Sequence, residues 1–249
     1  MHTVNILNIP FSIMTLNETT SYLKHHIQSN NSLFHLITVN PEIAIIAQKD
    51  EAFQSIVQKA DMITPDGIGI VLASKRKAMQ IRERVTGFEL LHQLLNEANN
   101  EPFSFYFLGT DEETNKAAVE NIQKQYPNVI ITGRHNGFFD REKEKAILKE
   151  IKDTKPDVLI VAMGAPFSDK WIDKHANDLS ETKLVFGVGG SLDVIAGKVK
   201  QTPVIWKKLN LEWLHRLLTA KAAKGQKSRW KRQLSTMPQF ILKAIIQNK

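Results

Sequence analysis

A regular alternation of short apolar segments with longer amphipathic ones restricts the fold of this chain more than any other feature. The apolar segments are rich in β-branched and aromatic residues, and several are apolar throughout, which is typical of strands buried on both faces of a sheet. These predicted strands are Leu33–Val39, Met62–Thr64, Ser104–Leu108, Val129–Thr132, Val158–Met163 and Leu184–Val188. The periodicity between them predicts helices over Glu42–Lys59, Phe88–Asn99, Glu112–Gln125, Glu142–Lys152 and Asp169–Asp178. The alternation predicts an α/β fold, with a Rossmann-like, mostly parallel sheet and helices on both faces.

The beginning of the chain and its composition limit the remaining choices. Val4–Thr15, which contains Pro10, predicts a small extended or hairpin element ahead of the sheet. The chain has 249 residues, enough for one large domain or a core with an appendage. It has no cysteine, which excludes disulfides and thiolate metal sites. We expect a cytoplasmic protein, because we find neither a signal peptide nor a run of about 18 apolar residues.

The positive charge is concentrated at the C-terminal end. Residues 207–249 contain eleven of the 33 Lys and Arg but one of the 26 Asp and Glu, so they carry a net charge of +10 and residues 1–206 carry −3. Trp206, Leu209, Trp213 and Leu217 recur there at helical spacing. We therefore expect a core over residues 1–203 and a basic helical appendage over residues 204–249 that meets nucleic acid, anionic lipid or phosphate. Alternatively, the appendage packs its apolar face on the core and its charges are only solvated.

Glycine recurs where the predicted strands end. In an open α/β sheet, ligands bind outside the carboxyl ends of the strands, and glycine lets the backbone approach a ligand closely. The segments that follow the strands are Asn40-Pro41, Pro65-Asp66-Gly67, Gly109-Thr110, Gly133-Arg134, Gly164-Ala165-Pro166 and Gly189-Gly190-Ser191. Their recurrence at corresponding positions predicts a binding cleft along this edge of the sheet.

Asp66 is a carboxylate that directly follows a strand and stands between Pro65 and Gly67. Close to Thr38 and Asn40 of a neighbouring strand, it could deprotonate a substrate hydroxyl. It could equally be an Asx-turn or the cap of a helix over Gly67–Ser74. The residues alone leave both roles open.

Several kinds of site are disfavoured by the sequence. Gly187-Val188-Gly189-Gly190-Ser191 resembles a loop that cradles phosphate, but it has neither the glycine spacing of a dinucleotide site nor the Lys of a P-loop. An oxidoreductase is therefore disfavoured. The sequence contains no Asp-x-Asp pair, no histidine cluster and no Gly-x-Ser-x-Gly elbow, so we expect neither a metal nor a cofactor. The net-negative core argues against a nucleic-acid-binding protein.

Together these segments resemble the WecG/TagA/CpsF glycosyltransferase family, and by length its TagA/TarA branch. The resemblance runs in order from about residue 4 to residue 233. The segments that carry it are Thr38–Pro41, Thr64–Gly69, Arg84–Gly87, Phe107–Gly109, Gly133–Phe139, Gly164–Pro166, Gly187–Gly197 and Leu211–Leu217.

The resemblance implies a reaction and its partners. Such enzymes transfer N-acetylmannosamine from its UDP donor to the 4-hydroxyl of N-acetylglucosamine on undecaprenyl diphosphate, which builds the linkage unit of wall teichoic acid. They invert the anomeric centre without a metal. The same fold could use a different UDP-sugar, such as the uronic acid of N-acetylmannosamine, for another surface polysaccharide. The resemblance places the protein at the inner face of the cell membrane as a peripheral protein, with no nucleic-acid partner, and leaves a homo-oligomer open.

The resemblance also assigns roles to individual residues. Asp66 matches the catalytic base, Thr38 and Asn40 match the sugar pocket, and Arg84 matches a group near the UDP. Asp193 is a candidate for uracil recognition. The other residues that match donor-site or acceptor-site positions are Gly109, Gly164, Pro166, Gly187, Gly189 and Gly190 in the strand-end loops, and Arg216, Arg229 and Arg232 for the acceptor diphosphate.

The chain departs from the family pattern at two places. Ser168-Asp169 stand where the family usually has Gln-Glu, which puts a direct sugar contact from residue 168 in doubt. Gln201-Thr202-Pro203 stand where it often has Arg-Ala-Pro.

Overall fold

A computed structural model describes residues 2–29, 32–75, 77–199, 203, 206 and 236–244. Six strands form one sheet in the order β4-β3-β8-β7-β5-β6, and every neighbouring pair is parallel. They are β3 (Phe34–Val39), β4 (Met62–Pro65), β5 (Ser104–Gly109), β6 (Ile130–His135), β7 (Val158–Ala162) and β8 (Leu184–Gly187). Ahead of them, β1 (Thr3–Ile6) and β2 (Ile9–Ser12) form an antiparallel hairpin. The predicted α/β fold with a parallel sheet is confirmed.

Nine helices connect and follow these strands in the described residues before residue 200. They are α1 (Leu16–Ser29), α2 (Pro41–Ala47), α3 (Glu51–Lys59), α4 (Ile68–Ser74), α5 (Gly87–Asn100), α6 (Glu112–Gln125), α7 (Arg141–Thr154), α8 (Phe167–Lys174) and α9 (Ser191–Ile195). The prediction of a single helix over Glu42–Lys59 is wrong. The helical segment is interrupted before residue 51, where a new helix begins. The Asp50 side chain caps α3 by accepting a hydrogen bond from the Phe53 amide at 3.0 Å.

Both faces of the sheet are covered. On one face, α1, α5, α6 and α9 pack on side chains such as Leu36 and Phe186. On the other, the hairpin and α2 to α4 cover Ile37 and Ile63, while α7 and α8 cover Leu159. Because successive strand side chains point to opposite faces, central strands buried in this way, such as β7 and β8, are apolar along their whole length. The carboxyl ends of all six strands meet at one edge, which we call the strand-end rim (Asn40, Asp66 and the loops starting at residues 109, 136, 163 and 188).

The helical segment 236–244 packs on the core of its own chain. Phe240 and Ala244 are buried in the same cluster as Val4 and Phe11 of the hairpin. The Phe240 ring lies beside Gly69 of α4, and Lys49 Nζ donates to Gln239 Oε1 at 2.9 Å. This part of the appendage therefore follows the alternative in which its apolar face lies on the core, although Ile241 and Leu242 of the same segment are exposed.

Between residues 204 and 235 of the appendage, the structure describes only Trp206. Trp206 is half-buried, and its amide donates to Pro203 O at 3.0 Å. Trp213, Arg216, Arg229 and Arg232 lie outside the described residues. None of the helices in the described part of the chain is long and apolar enough to cross a bilayer.

Candidate active site

Asp66 lies at the corner of the rim formed by β3 and β4. Its amide donates to Val39 O at 3.0 Å, so the backbone beyond β4 continues alongside β3 up to Asn40. The N-cap of α4 is Gly67, at φ +108, so Asp66 stands one residue before the cap position. A positive φ of this size suits glycine and turns the chain sharply after the carboxylate. Asp66 is itself only partly buried.

Thr38 and Asn40 lie at the same corner, as predicted from the adjacency of parallel strand ends. Thr38 pairs in register with Thr64 of β4 and is largely buried. The Asn40 side-chain oxygen accepts from the Ile43 amide at 2.9 Å and so caps α2. Because its oxygen is used in this cap, Asn40 presents a fixed amide group, which can donate a hydrogen bond to a ligand.

Arg84 is brought to this corner by the segment that precedes α5. The Val85 amide donates to Pro65 O at 2.8 Å, which holds the segment beside the end of β4. Arg84 Nη2 donates to Glu89 Oε1 at 3.1 Å, and Glu89 Oε2 accepts from Thr86 Oγ1 at 2.8 Å. Sequence reasoning missed Glu89. The Thr86-x-x-Glu89 pattern ahead of an apolar helix is the signature of a capping box and could have identified it.

The other half of the rim is built from closely packed backbone. Gly109 has φ +132, and a Cβ added there would lie 2.5 Å from the carbonyl of Ala162. The Thr110 amide donates to Ala162 O at 2.9 Å, and the Gly137 amide donates to Thr110 O at 2.8 Å. The buried Asn115 amide group donates to Gly109 O and His135 O, at 3.0 Å each. These contacts fasten the ends of β5, β6 and β7 to one another.

Two glycines of the rim face open space. A Cβ added at Gly164 (φ +82) or at Gly189 (φ +51) would have no atom of the described residues within 4 Å apart from those of the adjoining residues, which leaves room for a ligand beside their backbone. Gly190 lies next to Asp193, whose Oδ2 would be 3.5 Å from a Cβ at residue 190. Pro166 follows a cis peptide bond and precedes α8.

Gly187 is enclosed on both faces of the sheet. A Cβ at residue 187 would lie 3.4 Å from Ser168 Cβ and 3.5 Å from Asp169 Oδ1, while the first residue of α5, Gly87, lies against Thr38 and Gly187 O on the other face. It therefore contributes to the shape of the rim through its small size.

Ser168 and Asp169 are buried, at 2% and 4% exposed. Ser168 Oγ accepts from the Met163 amide at 3.1 Å, and Asp169 Oδ1 lies 3.7 Å from His35 Nε2. The hydroxyl of Ser168 thus holds the loop after β7.

Asp193 lies in the first turn of α9 and is half-buried. The Val199 amide donates to Asp193 O at 3.1 Å, and the adjacent Lys198 pairs with Asp111, the N-cap of α6. The Lys198 ammonium and the Thr114 amide hold the pKa of the Asp111 carboxyl well below its usual range. The loop that carries Asp193 is thereby tied to the start of α6.

Two large aromatic side chains project from the rim, and sequence reasoning did not assign a role to either. Phe138 follows β6 and is 77% exposed, and Phe167 begins α8 and is 69% exposed. The Phe138 amide donates to Asn136 Oδ1 at 2.9 Å, which fixes the turn before the ring. An exposed ring at a strand end can stack on a flat ligand. The signal in the sequence is a Phe directly after a glycine or proline in the loop that follows a strand.

No three His, Cys, Asp or Glu side chains of the described residues come close enough to hold a metal ion. For an anionic ligand, the rim offers the guanidinium of Arg84 and backbone amides.

The sequence matches the model of the glycosyl transferase WecG/TagA/CpsF family over residues 4–249. It is also 36% identical over 244 residues to the N-acetylglucosaminyldiphosphoundecaprenol N-acetyl-beta-D-mannosaminyltransferase of Staphylococcus aureus strain MRSA252, covering 96% of this chain and 91% of that protein. The protein of the same name from strain NCTC 8325 matches with the same identity and coverage. With a family match over almost its whole length and a strand-end rim in a parallel α/β sheet, the chain belongs to the WecG/TagA/CpsF family of glycosyltransferases.

Proposed function

We propose that the protein transfers N-acetylmannosamine from UDP-N-acetylmannosamine to the 4-hydroxyl of N-acetylglucosaminyl-diphosphoundecaprenol, the linkage-unit step of wall teichoic acid synthesis. The transferred sugar and the acceptor follow the names of its relatives, and the UDP donor follows the resemblance of the sequence to the family. The observation that carries the chemistry is the position of Asp66, a carboxylate at the carboxyl end of β4 beside Asn40 and close to the segment of Arg84.

Asp66 acts as the base in a single displacement. It accepts the proton of the acceptor hydroxyl while that oxygen attacks the anomeric carbon from the face opposite the UDP. The new bond to the acceptor oxygen forms as the bond to the phosphate oxygen breaks, and UDP leaves with the electron pair. One base is sufficient for this step, and the configuration of the anomeric carbon inverts.

The departing diphosphate needs positive charge or hydrogen-bond donors, because negative charge develops on it. Arg84 supplies a guanidinium from the β4 side of the rim. The segment from Gly187 to Asp193 supplies backbone amides near Gly189, which leaves room for a ligand. With these groups in place the reaction requires no metal ion. Asp193 accepts a hydrogen bond from the uracil.

The appendage over residues 204–249 completes the site and holds the protein at the inner face of the cell membrane. Its net positive charge favours an anionic lipid surface, and Ile241 and Leu242 expose apolar side chains next to the docked Phe240. Phe240 also lies beside α4, the helix that begins after Asp66 and Gly67. Three arginines of the appendage then bind the acceptor diphosphate, namely Arg216, Arg229 and Arg232.

A different UDP-sugar is the second candidate donor, and the observation that favours it is the burial of Ser168. Its hydroxyl is engaged with the Met163 amide, at the position where the family usually has a longer Gln. A pocket that lacks this longer side chain can select another sugar.

The proposal is tested by measuring UDP release with a lipid-diphosphate N-acetylglucosamine acceptor and a panel of UDP-sugars. We expect turnover to require the acceptor, to be highest with UDP-N-acetylmannosamine and to be unchanged by EDTA. A higher rate with UDP-N-acetylmannosaminuronic acid would replace the donor, and loss of activity in EDTA that Mg²⁺ restores would contradict the metal-free step.

A further inference from the structure

Glu89 joins the candidate site to the first turn of α5. One of its carboxylate oxygens accepts from Arg84 Nη2 at 3.1 Å, and the other accepts from Thr86 Oγ1 at 2.8 Å. The Thr86 hydroxyl in turn accepts from the Glu89 amide at 3.2 Å. A single carboxylate therefore holds both the helix cap and the guanidinium.

The backbone that carries Glu89 is firmly placed. Thr86 is the N-cap of α5, and Gly87 lies so close to Thr38 that an added Cβ would be 3.4 Å from its hydroxyl and its methyl group. A helix start held by a cap and by a close backbone contact gives its first-turn side chains a defined origin.

The direction of the carboxylate is not that of an ordinary capping box. There the Glu side chain reaches back to the backbone amide of the N-cap residue. Here its oxygens meet the Thr86 hydroxyl and the Arg84 guanidinium instead. Capping alone gives no reason for the contact with Arg84.

The Arg84 side chain is 15% exposed and that of Glu89 is 31% exposed. An arginine side chain has many rotamers, and a carboxylate that binds one edge of the guanidinium limits them, so the planar group meets a ligand in a defined orientation. We propose that Glu89 is a positioning residue that holds Arg84 in place for the diphosphate of the UDP donor. The inference rests on the proposed function, in which Arg84 binds that diphosphate.

Two effects of Glu89 on UDP affinity have opposite signs, which makes the inference testable. Its negative charge repels the diphosphate, so a purely electrostatic effect predicts tighter UDP binding when the carboxylate is removed. Its hydrogen bond to Arg84 restricts the arginine side chain before UDP binds, so less rotamer freedom is lost on binding. Positioning therefore predicts weaker UDP binding when the carboxylate is removed. The inference requires the second effect to dominate.

The experiment is a double-mutant cycle on the full-length protein, with UDP as the probe in isothermal titration calorimetry. We expect Arg84→Ala to weaken UDP binding roughly tenfold and Glu89→Ala roughly fivefold, as for loss of a hydrogen bond to a charged group. Because Glu89 acts through Arg84, the double variant should bind UDP within about twofold of Arg84→Ala. Glu89→Gln, which keeps an oxygen able to accept from Arg84, should lie between Glu89→Ala and the wild type.

Thr86→Ala is the matched control. It removes the cap of α5 and one of the two hydrogen bonds to the Glu89 carboxylate but keeps the bond from Arg84, so its melting temperature should fall while UDP binding weakens less than in Glu89→Ala. Tighter or unchanged UDP binding by Glu89→Ala overturns the inference, as do additive losses in the double variant. If Glu89→Ala does not fold, Glu89→Gln decides: unchanged or tighter UDP binding by this variant overturns the inference, and so does a loss that adds in full to that of Arg84→Ala. Absence of UDP binding by the wild type rejects the proposed function together with this inference, whereas binding with additive losses rejects only the role of Glu89.

Discussion

The strand-end rim has two halves that are built differently. At β3 and β4 it presents the side chains of Asp66, Asn40 and Arg84. Asp66 is held through its backbone amide, Asn40 through its side-chain oxygen and Arg84 through its guanidinium. At β5, β7 and β8 it presents mainly backbone, with glycine where strands touch, as at Gly109, or where space is left open, as at Gly164. A substitution in the half at β3 and β4, the side-chain half, can leave the path of the backbone unchanged. A substitution of a glycine in the half at β5, β7 and β8, the backbone half, alters that path. Substitutions should therefore separate chemistry from shape.

The largest effect is expected in the side-chain half, from Asp66→Asn. A general base contributes about 10²- to 10⁴-fold to a rate, so kcat should fall by roughly 10³-fold. UDP binding and the melting temperature should stay close to those of the wild type, because the backbone bond from residue 66 to Val39 O does not involve the carboxylate. UDP release and calorimetry on the same sample measure both. Turnover near the wild-type rate would remove Asp66 from the role of base.

In the backbone half, Gly109→Ala should act on folding itself. Its Cβ would lie 2.5 Å from the Ala162 carbonyl, and φ +132 is strained for alanine, so a loss of roughly 3 kcal/mol or more in the free energy of unfolding is expected. Gly164→Ala is the control, since it has a positive φ but open space around the Cβ, and it should lose about 1 kcal/mol. Chemical denaturation measures both. Equal losses would mean that backbone strain alone, and not the contact with β7, determines the cost.

The same contrast explains how much of the fold the sequence predicted. Local patterns identified all six parallel strands. Strands buried on both faces, such as β7, are apolar throughout and differ from any amphipathic helix, whereas the edge strand β6 begins with β-branched residues. Local patterns did not reveal the break at Asp50 or the order of strands. The insertion of β8 between β3 and β7 depends on contacts between segments far apart in the chain.

The candidate site divides in a similar way. Thr38, Asn40 and Asp66 could be predicted to converge because adjacent parallel strands end at the same edge. Glu89 stands in a capping-box pattern that the sequence displays, but its contact with Arg84 and the exposure of the Phe167 ring required the structure, since they depend on which way a side chain points and on what covers it. The family resemblance drew attention to Arg84, and the structure supplied its partner.

A smaller effect is expected from buried hydroxyl groups. The hydroxyls of Thr64, in the side-chain half, and Thr182, ahead of β8 at the opposite edge, are buried and have no hydrogen-bond partner among the described residues. Replacing such a hydroxyl by a methyl group removes the cost of burying it, so Thr64→Val and Thr182→Val should each raise the free energy of unfolding by about 1 kcal/mol. Thermal denaturation of the two variants measures it. Stabilisation by Thr182→Val but not by Thr64→Val would mean that the Thr64 hydroxyl has a hydrogen-bond partner in solution. The two edges of the sheet would then differ in how their buried hydroxyls are hydrogen-bonded.

The smallest effect concerns the ion pair that fastens the backbone half to α6. Lys198 lowers the pKa of Asp111, and hydrogen bonding to Asp111 raises the pKa of Lys198. A lowered carboxyl pKa stabilises the fold at pH values above the unfolded pKa near 4, and this stabilisation is lost as the pH falls. A raised ammonium pKa stabilises the fold at pH values below about 10.4, and that stabilisation is lost as the pH rises. Asp111→Asn keeps a residue that can cap α6 but removes the ion pair. The difference in melting temperature between wild type and Asp111→Asn should thus be constant from about pH 5 to 9 and shrink below about pH 4. High salt should reduce it, because the pair is exposed to solvent. A difference that persists unchanged at low pH would show that it does not arise from the ion pair between Lys198 and Asp111.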